Sequence, residues 1–514
     1  MNASPPAPSR AHRFAHGMLW TTLGQFSVFA VNFFTIPYLV NHMGLELYGL
    51  YVLLHTAMNY LMVTNLGAGA GITKFVAEFA AAREYGRLRQ TLRYGAWFHG
   101  LGALLGAAVL LACLPWILRS FNIPAPLAAT AAFVLTCAAA AAVFFAFCIY
   151  SSTALQGLHR FDLSSGFALL SNLLVPLAVA GAFLTGHGIK TAACGYVAAH
   201  VLSAAAGLLV LRKILPRGAG QEASAFPLQR FSRYCFGLSL GPIAGLLIYQ
   251  FDKILISQSL PLNELTLYSV PSGLIQRVQS VAATIANVMT PMMSEISRPE
   301  HAATLRRVYI KSTRALLLTI LPGLTLLFVF MPNLLNLWLG QEFGDRSTWP
   351  ARFLVLAAVF YLLSMTPSIA AASREKTWYL SASAWLQAGL CILLWLWLIP
   401  RYRILGAAIG ACLAQAATVS LYIVIIHRRV LRLSWAEFLD QSLAAPLISA
   451  AALLAVTLPT HHLASSWLRL AAMGTAALAV YYGSAWLLLP SADKALIQAL
   501  LRWRGRTPAD PPLP

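Results

Sequence analysis

Residues 94–118 read YGAWFHGLGALLGAAVLLACLPWIL, with no aspartate, glutamate, lysine or arginine between Arg93 and Arg119. As a helix rising 1.5 Å per residue, this stretch is about 37 Å long, enough to cross a hydrocarbon core about 30 Å thick. A short connection leads to residues 127–150, LAATAAFVLTCAAAAAVFFAFCIY, a second run of spanning length. Both are rich in leucine, alanine, valine and phenylalanine and lack the short alternating segments of a membrane barrel. In lipid such runs satisfy their backbone groups only as helices.

Working outward, runs of this kind recur from residues 18–40 to residues 468–489, and the reading is an all-α polytopic bundle of about fourteen spans. Composition agrees: of 514 residues, 59% are hydrophobic and only 10% charged, too few charges for a water-facing surface of that size. Arg10 and Arg13 ahead of the first span resemble a signal n-region. The apolar stretch is too long, however, and no small-x-small cleavage site follows, so the span is read as retained. The seven cysteines (Cys113, Cys137, Cys148, Cys194, Cys235, Cys391, Cys412) lie in or beside spans without motif spacing. Neither a disulfide framework nor a zinc site is expected, and no metal or other cofactor.

The net charge of +20 raises the question of nucleic acid, and the placement of the charges answers it. About 27 of the 36 Lys and Arg residues fall in the termini and in loops after even-numbered spans, about 7 in other loops and 2 within spans. That is the positive-inside bias, with both termini cytoplasmic and no nucleic-acid partner. Clusters such as Arg83, Arg87, Arg89, Arg93 and Arg298, Arg306, Arg307, Lys311, Arg314 would face anionic inner-leaflet lipid.

The expected organisation is a disordered cytoplasmic N-terminus (1–15), an N-lobe of six spans (16–211), a basic cytoplasmic linker (212–233), a C-lobe (234–426), an extra helix pair (427–490) and a cytoplasmic tail (491–514). The two lobes rest on an internal repeat. Leu47-Tyr48-Gly49 is echoed by Leu267-Tyr268-Ser269. Each is followed by a polar-striped span, then by Glu78 or Glu295, then by a basic stretch, Arg87-Leu88-Arg89-Gln90 or Leu305-Arg306-Arg307. Parallel halves of this kind are a recurrent plan for secondary transporters, with substrate held between repeats. The segment Lys74 to Arg93 is also amphipathic, with Phe75, Phe79, Leu88 and Leu92 on one side, as expected of a helix lying in the headgroup region.

Polar groups inside spans are the costly ones, and therefore the informative ones. Thr21, Gln25, Asn32 and Thr35 share one face of the first span, and Ser269, Ser272, Gln276, Gln279 and Asn287 stripe the eighth. Burying an unpaired amide costs roughly 2–7 kcal/mol, so two long stripes imply a wet cavity; the competing reading is interhelical hydrogen bonding. Full charges within spans are Asp252 and Lys253 near the outer end of the seventh and Arg277 about 15 Å into the eighth. Lys253 and Arg277 would attract an anionic group while Asp252 neutralises them or binds a coupling cation. For Lys253 the competing reading is snorkelling to the outer headgroups. Pro176, Pro242, Pro271, Pro322 and Pro367, with Gly67, Gly69 and Gly71, are positioned for kinks and close helix approach.

Gly24-Gln25 followed by Pro37-Tyr38-Leu39-Val40-Asn41-His42-Met43-Gly44-Leu45-Glu46-Leu47-Tyr48-Gly49 resembles the opening of the Wzx-like polysaccharide flippases. These form the polysaccharide-transporter branch of the multidrug/oligosaccharidyl-lipid/polysaccharide (MOP) exporter superfamily. Leu66-Gly67 before Lys74-Phe75-Val76-Ala77-Glu78, and Gln250-Phe251-Asp252-Lys253-Ile254-Leu255-Ile256 before Leu267-Tyr268, are similar to the same pattern. The resemblance covers the first twelve spans; fourteen exceeds the family's common twelve and is similar to the lipid II flippase branch.

The resemblance implies a carrier in the bacterial inner membrane that flips an undecaprenyl-pyrophosphate-linked oligosaccharide by alternating access, for export of a surface polysaccharide or exopolysaccharide. A cationic cavity would receive the pyrophosphate, with Gln25, Asn32, Gln250, Lys253, Gln276, Arg277 and Gln279 as candidate lining and Asp252 as candidate site for a coupling H+ or Na+. Expected partners are the lipid-linked oligosaccharide, membrane lipids and polysaccharide polymerase or export machinery. The rival readings are a drug or metabolite antiporter, which favours acidic cavity residues, and a membrane glycosyltransferase, ligase or polymerase, which needs acidic or arginine-rich outer loops. The outer loops here are short, with Glu46, Glu264, Glu342 and Asp345 their chief acidic residues.

Overall fold

The computed structural model describes residues 10–65, 67–215, 226–491, 493–495 and 498. The described residues are 92% helical, with no strand among them, and ten of the described helices are long and apolar enough to cross a membrane. Their outward faces are apolar too: on the helix from Tyr85–Ser120, Leu105 is 65% and Val109 61% exposed. Lipid, not water, is the solvent that suits such a face.

Helix α1 (Arg10–Leu61) starts inside the stretch expected to be an unstructured N-terminus and runs through both stretches expected to be the first two spans. The outer loop expected between them is reduced to a single break at Gly44, at φ 74°, ψ 166°, a conformation glycine adopts without a Cβ clash. A 3-10 turn at Met62–Asn65 and left-handed Gly67 lead into α2 (Ala68–Ala81), α3 (Tyr85–Ser120), α4 (Ala128–Gly157), α5 (Phe161–Leu184) and α6 (Ile189–Ile214). Left-handed residues at Arg83, His159 and Gly186 close the α2–α3, α4–α5 and α5–α6 hairpins. In each, the next N–H reaches back five residues, as from Glu84 to the Phe79 carbonyl at 2.9 Å, the Schellman geometry that ends helices abruptly.

The chain divides into two compact units. The first holds residues up to Thr284 with Trp349–Ala357 and Trp378–Thr418. In it α4 packs on α1, α2, α3, α5 and α6. The alanine run that marked residues 127–150 explains why: Ala131, Ala138, Ala139, Ala141, Ala142 and Ala146 are all buried, and small side chains let membrane helices approach closely. This unit also contains α7 (Leu228–Ser259), α8 (Leu262–Glu295) as far as Thr284, and most of α11 (Thr377–Ile426), which follows α9 (Ala302–Leu339) and α10 (Gln341–Ser373).

The repeat-related segments meet inside this unit. A Cβ at Gly49 would run into the Leu262 carbonyl, and Thr266 Oγ1 donates to the Leu45 carbonyl at 2.6 Å. Gly67 and Gly71 lie against Cys235 of α7, where a Cβ would come within 2.5 Å of its carbonyl and its sulfur respectively. The glycines expected to permit close approach do so here.

The amphipathic segment departs from expectation. Lys74–Arg93 forms no helix of its own; it divides between α2 and α3 at Arg83. Phe75, Phe79, Leu88 and Leu92 are buried in a core with Phe226, Phe231 and Cys235. The apolar face is covered by the protein because Phe226 is pinned beside it, its N–H donating to Gln90 Oε1 at 2.8 Å and its carbonyl accepting from Tyr94 Oη at 3.0 Å.

The stretches expected to be spans eleven and twelve are likewise joined, within α11, by a break at Arg403 (φ 54°, ψ −137°). Beyond it Gly406 packs against the Leu398 carbonyl, and Trp395 Nε1 donates to the Ala407 carbonyl at 2.9 Å. A non-glycine residue in this backbone region is strained by about 1–3 kcal/mol. The Arg403 guanidinium reaches buried Glu264 at 2.9 Å, which favours the bent conformation.

The second unit holds Ile285–Thr348, Ala358–Thr377 and the chain from Val419. Here α13 (Ala444–Thr460) and α14 (Trp467–Leu488) pack on α9 around Leu321, Leu453 and Tyr481. Asn333 Nδ2 donates to the His461 and Ala464 carbonyls at the α13–α14 turn, at 3.0 and 3.1 Å. Between α11 and α13 lie two π-helical turns and the short α12 (Trp435–Phe438), fixed by Tyr309 Oη against His427 Nε2 at 2.8 Å.

Candidate functional site

The segment Tyr249-Gln250-Phe251-Asp252-Lys253 sits near the end of α7. Helical spacing puts Gln250 and Lys253 on one side and Tyr249 and Asp252 on another, and each side faces a different cavity of the first unit. The larger, about 500 Å³, is lined by α1, α4, α5, α6, α7 and α8. Lys253 is 7% exposed and its Nζ donates to the Tyr249 carbonyl at 2.6 Å and to Gln250 Oε1 at 3.1 Å. Arg277 of α8 lines the same chamber, half-buried. Among the described residues no carboxylate pairs with it, and the chamber lining contains no Asp or Glu. Its neighbours are phenols and an imidazole, Tyr48, Tyr51 and His55, all within electrostatic reach.

Asp252 points away, into a cavity of about 50 Å³ bounded by Tyr268, Gln276, Gln279, Gln387 and Gln415. Its Oδ1 accepts from the Lys253 backbone N–H at 2.8 Å and its Oδ2 from Tyr268 Oη at 2.7 Å. Lys253 Nζ stands 4.0 Å from Oδ1, so the carboxylate leans on hydrogen bonds more than on the ammonium. Tyr268 is 1% exposed, and Tyr268→Phe leaves the buried carboxylate one donor short. A hydrogen bond to a charged group contributes about 1.5–3 kcal/mol, and a clear fall in Tm is expected in thermal melts of the detergent-solubilised variant.

The structure thus places Asn32, Gln250, Lys253, Gln276 and Arg277 on the chamber and Gln279 and Asp252 on the smaller cavity, with Gln276 lining both. The backbone of Gln25 belongs to α1, but its side chain, like those of Thr21 and Asn287, lies outside the described residues. The sequence reading did not name the rest of the lining: Tyr51, His55 and Asn59 of α1, Ser171 and Asn172 of α5, Tyr196 and His200 of α6. Tyr51, His55 and Asn59 recur at four-residue spacing, the signal that could have found them. Gln387 and Gln415, hydrogen-bonded to each other beside Asp252, had no such pattern.

With this geometry in hand, comparison with known proteins is informative. In fold the chain matches the lipid II flippase MurJ in an inward closed conformation, with TM-score 0.70 and 13% identity over 90% of this chain and 98% of that one. An inward-facing multidrug resistance MATE family transporter of the MOP superfamily matches with TM-score 0.64 and 13% identity, over 78% of this chain and 94% of that one. At such identities the likeness establishes the fold. In sequence, 170 residues are 25% identical to a Shigella flexneri protein assigned as an O-antigen transporter, covering 33% of this chain and 39% of that relative, well short of its full length. Residues 14–297, more than half of the chain, match a family described as polysaccharide biosynthesis protein.

The fold is the one seen in the lipid II flippase MurJ and in the MATE family transporter. The chain belongs to the polysaccharide biosynthesis protein family.

Proposed function

We propose that this protein is the carrier that flips an undecaprenyl-pyrophosphate-linked oligosaccharide from the inner to the outer leaflet of the bacterial inner membrane. The observation that carries the reading is the chamber's charge: two cations, Lys253 and Arg277, and no carboxylate in the lining. Such a cavity favours an anionic group and disfavours organic cations, which argues against a drug antiporter reading. Each hydroxyl and charge of a glycan headgroup is costly to move through hydrocarbon. A polar chamber open to one side at a time lowers that cost while the lipid tail stays in the bilayer.

In this reading the chain crosses the membrane fourteen times with both termini cytoplasmic. Residues 16–211 and 234–426 act as two lobes that alternate access, and the pair 427–490 stands outside the repeat. Asp252, on the far side of α7 from the chamber, would take a coupling H+ or Na+. Polymerase or export machinery would receive the flipped product. Deleting the gene in its own cell and locating tagged lipid-linked oligosaccharide tests the proposal. Accumulation in the inner leaflet supports it. Normal arrival at the outer leaflet contradicts it, and unpolymerised glycan there would favour an enzyme instead.

A further inference from the structure

Within the first unit, a separate cavity of about 750 Å³ lies between α2 and the first turns of α7. Its cations are Lys74, Arg230 and Arg233, and its lining contains no Asp or Glu. Arg230 pairs with Glu78 at 3.0 Å, but both side chains are exposed, so the pair is weak and leaves the guanidinium open to a better partner. Lys74 and Arg233 are exposed and have no carboxylate partner among the described residues. Aromatic rings hold two of the cations in place: Lys74 Nζ stands 4.0 Å from the centre of the Tyr234 ring and the Arg230 guanidinium 5.3 Å from that of Phe75, distances at which the ring faces attract positive charge.

Beyond the cations the surface of α7 turns apolar, with Phe236, Leu238 and Leu240 exposed. Gly237 lines the cavity and Gly241 follows one turn on. A Cβ at either would meet nothing within 4 Å, so open space runs beside the helix there. Arg233 and Gly241 are eight residues apart, about 12 Å along the axis. The ligand that fits carries negative charge at one end and an apolar chain next to it. A soluble anion would satisfy the cations but cover none of the apolar surface, whereas an anionic phospholipid does both, and basic pockets between membrane helices suit such headgroups.

We infer that the cavity between α2 and α7 is a binding site for an anionic phospholipid, its phosphate held by Lys74, Arg230 and Arg233 and an acyl chain laid along α7 past Gly237 and Gly241. A phosphate gripped from both helices ties α2 to α7 beside the close approach of Gly71 to Cys235. No residue of this lining belongs to the chamber that contains Lys253 and Arg277, so the site does not depend on which cargo the chamber takes.

The test titrates phosphatidylglycerol and phosphatidylcholine into the full-length protein in detergent and follows the first bound lipid by native mass spectrometry. Phosphatidylglycerol is expected to bind at least about tenfold more tightly. Lys74→Gln combined with Arg233→Gln, both at exposed positions, should remove that preference. Arg428→Gln combined with Arg429→Gln takes the same charge from exposed residues elsewhere and should keep it. Gly237→Leu, which fills the groove without altering charge, should weaken phosphatidylglycerol binding. Equal binding of the two lipids by the native protein overturns the inference, as does an equal loss in both charge-removing variants, which would reflect overall charge instead of a site. Displacement of phosphatidylglycerol by inorganic phosphate, with no effect of Gly237→Leu, would make the occupant a free anion. Farnesyl diphosphate bound in preference to phosphatidylglycerol, and lost with Lys74 and Arg233, would make the cavity a cargo site; either result contradicts the phospholipid assignment.

Discussion

With the proposed function, Arg277→Ala is expected to lower export of the lipid-linked glycan by roughly 30-fold or more. Removing one member of a close, desolvated charge pair costs about 2–5 kcal/mol, and Arg277 is the chamber's most available cation. Lys253 already donates to Tyr249 and Gln250, whereas no carboxylate among the described residues competes for the Arg277 guanidinium. Lys253→Ala is therefore expected to cost less than Arg277→Ala. Arg277→Lys keeps the charge but loses the planar fork that grips phosphate at two points, and should recover only part of the loss. Arg277→Glu, which places a negative charge where the cargo's anion must sit, should abolish export. Initial rates of outer-leaflet appearance, normalised to folded carrier in the membrane, read all of these.

The second large effect is on folding. Gly49→Val forces a branched side chain into the Leu262 carbonyl, where the start of α8 crosses α1 and Thr266 bonds to Leu45. Backbone cannot yield as a flexible side chain can, and overpacking costs about 1–3 kcal/mol or more. A strong loss of folded protein is expected in detergent size-exclusion profiles. Gly389→Ala on α11 is the contrast of opposite sign. Nothing lies within 4 Å of its Cβ position, and alanine in a helix is more favourable than glycine by about 1 kcal/mol, so Tm should rise.

The fold was legible because lipid imposes a single rule, spanning apolar helices, which residues 94–118 and 127–150 state plainly. Connections were not. Gly44 and Arg403 each turn the chain within one residue or so, and the sequence offers only a Met-Gly-Leu and a Tyr-Arg-Ile to signal it. The amphipathic face of Lys74–Arg93 was read correctly as a face; what covers it, Phe226 and Phe231, comes from beyond a segment of more than 130 residues and has no local signature. At the site, the sequence reading singled out Lys253 and Arg277 as charges within expected spans, and both line the larger cavity. The split between Asp252 and Lys253 follows from helical spacing, but the reading treated them as one cluster. The uncharged part of the lining escaped notice because tyrosine, asparagine and histidine are cheaper in membranes than charges and stand out only when three helices, α1, α5 and α6, bring them together.

The most direct test of the central claim is reconstitution: purified carrier in vesicles loaded on one leaflet with prenyl-diphospho-oligosaccharide, followed by the rate at which the glycan becomes accessible on the other leaflet. The account predicts carrier-dependent transfer that falls at least about 30-fold with Arg277→Ala and is competed by farnesyl diphosphate. Transfer that is unchanged by Arg277→Ala and Lys253→Ala together, or carrier-dependent movement of a cationic drug in place of the glycan, would contradict it.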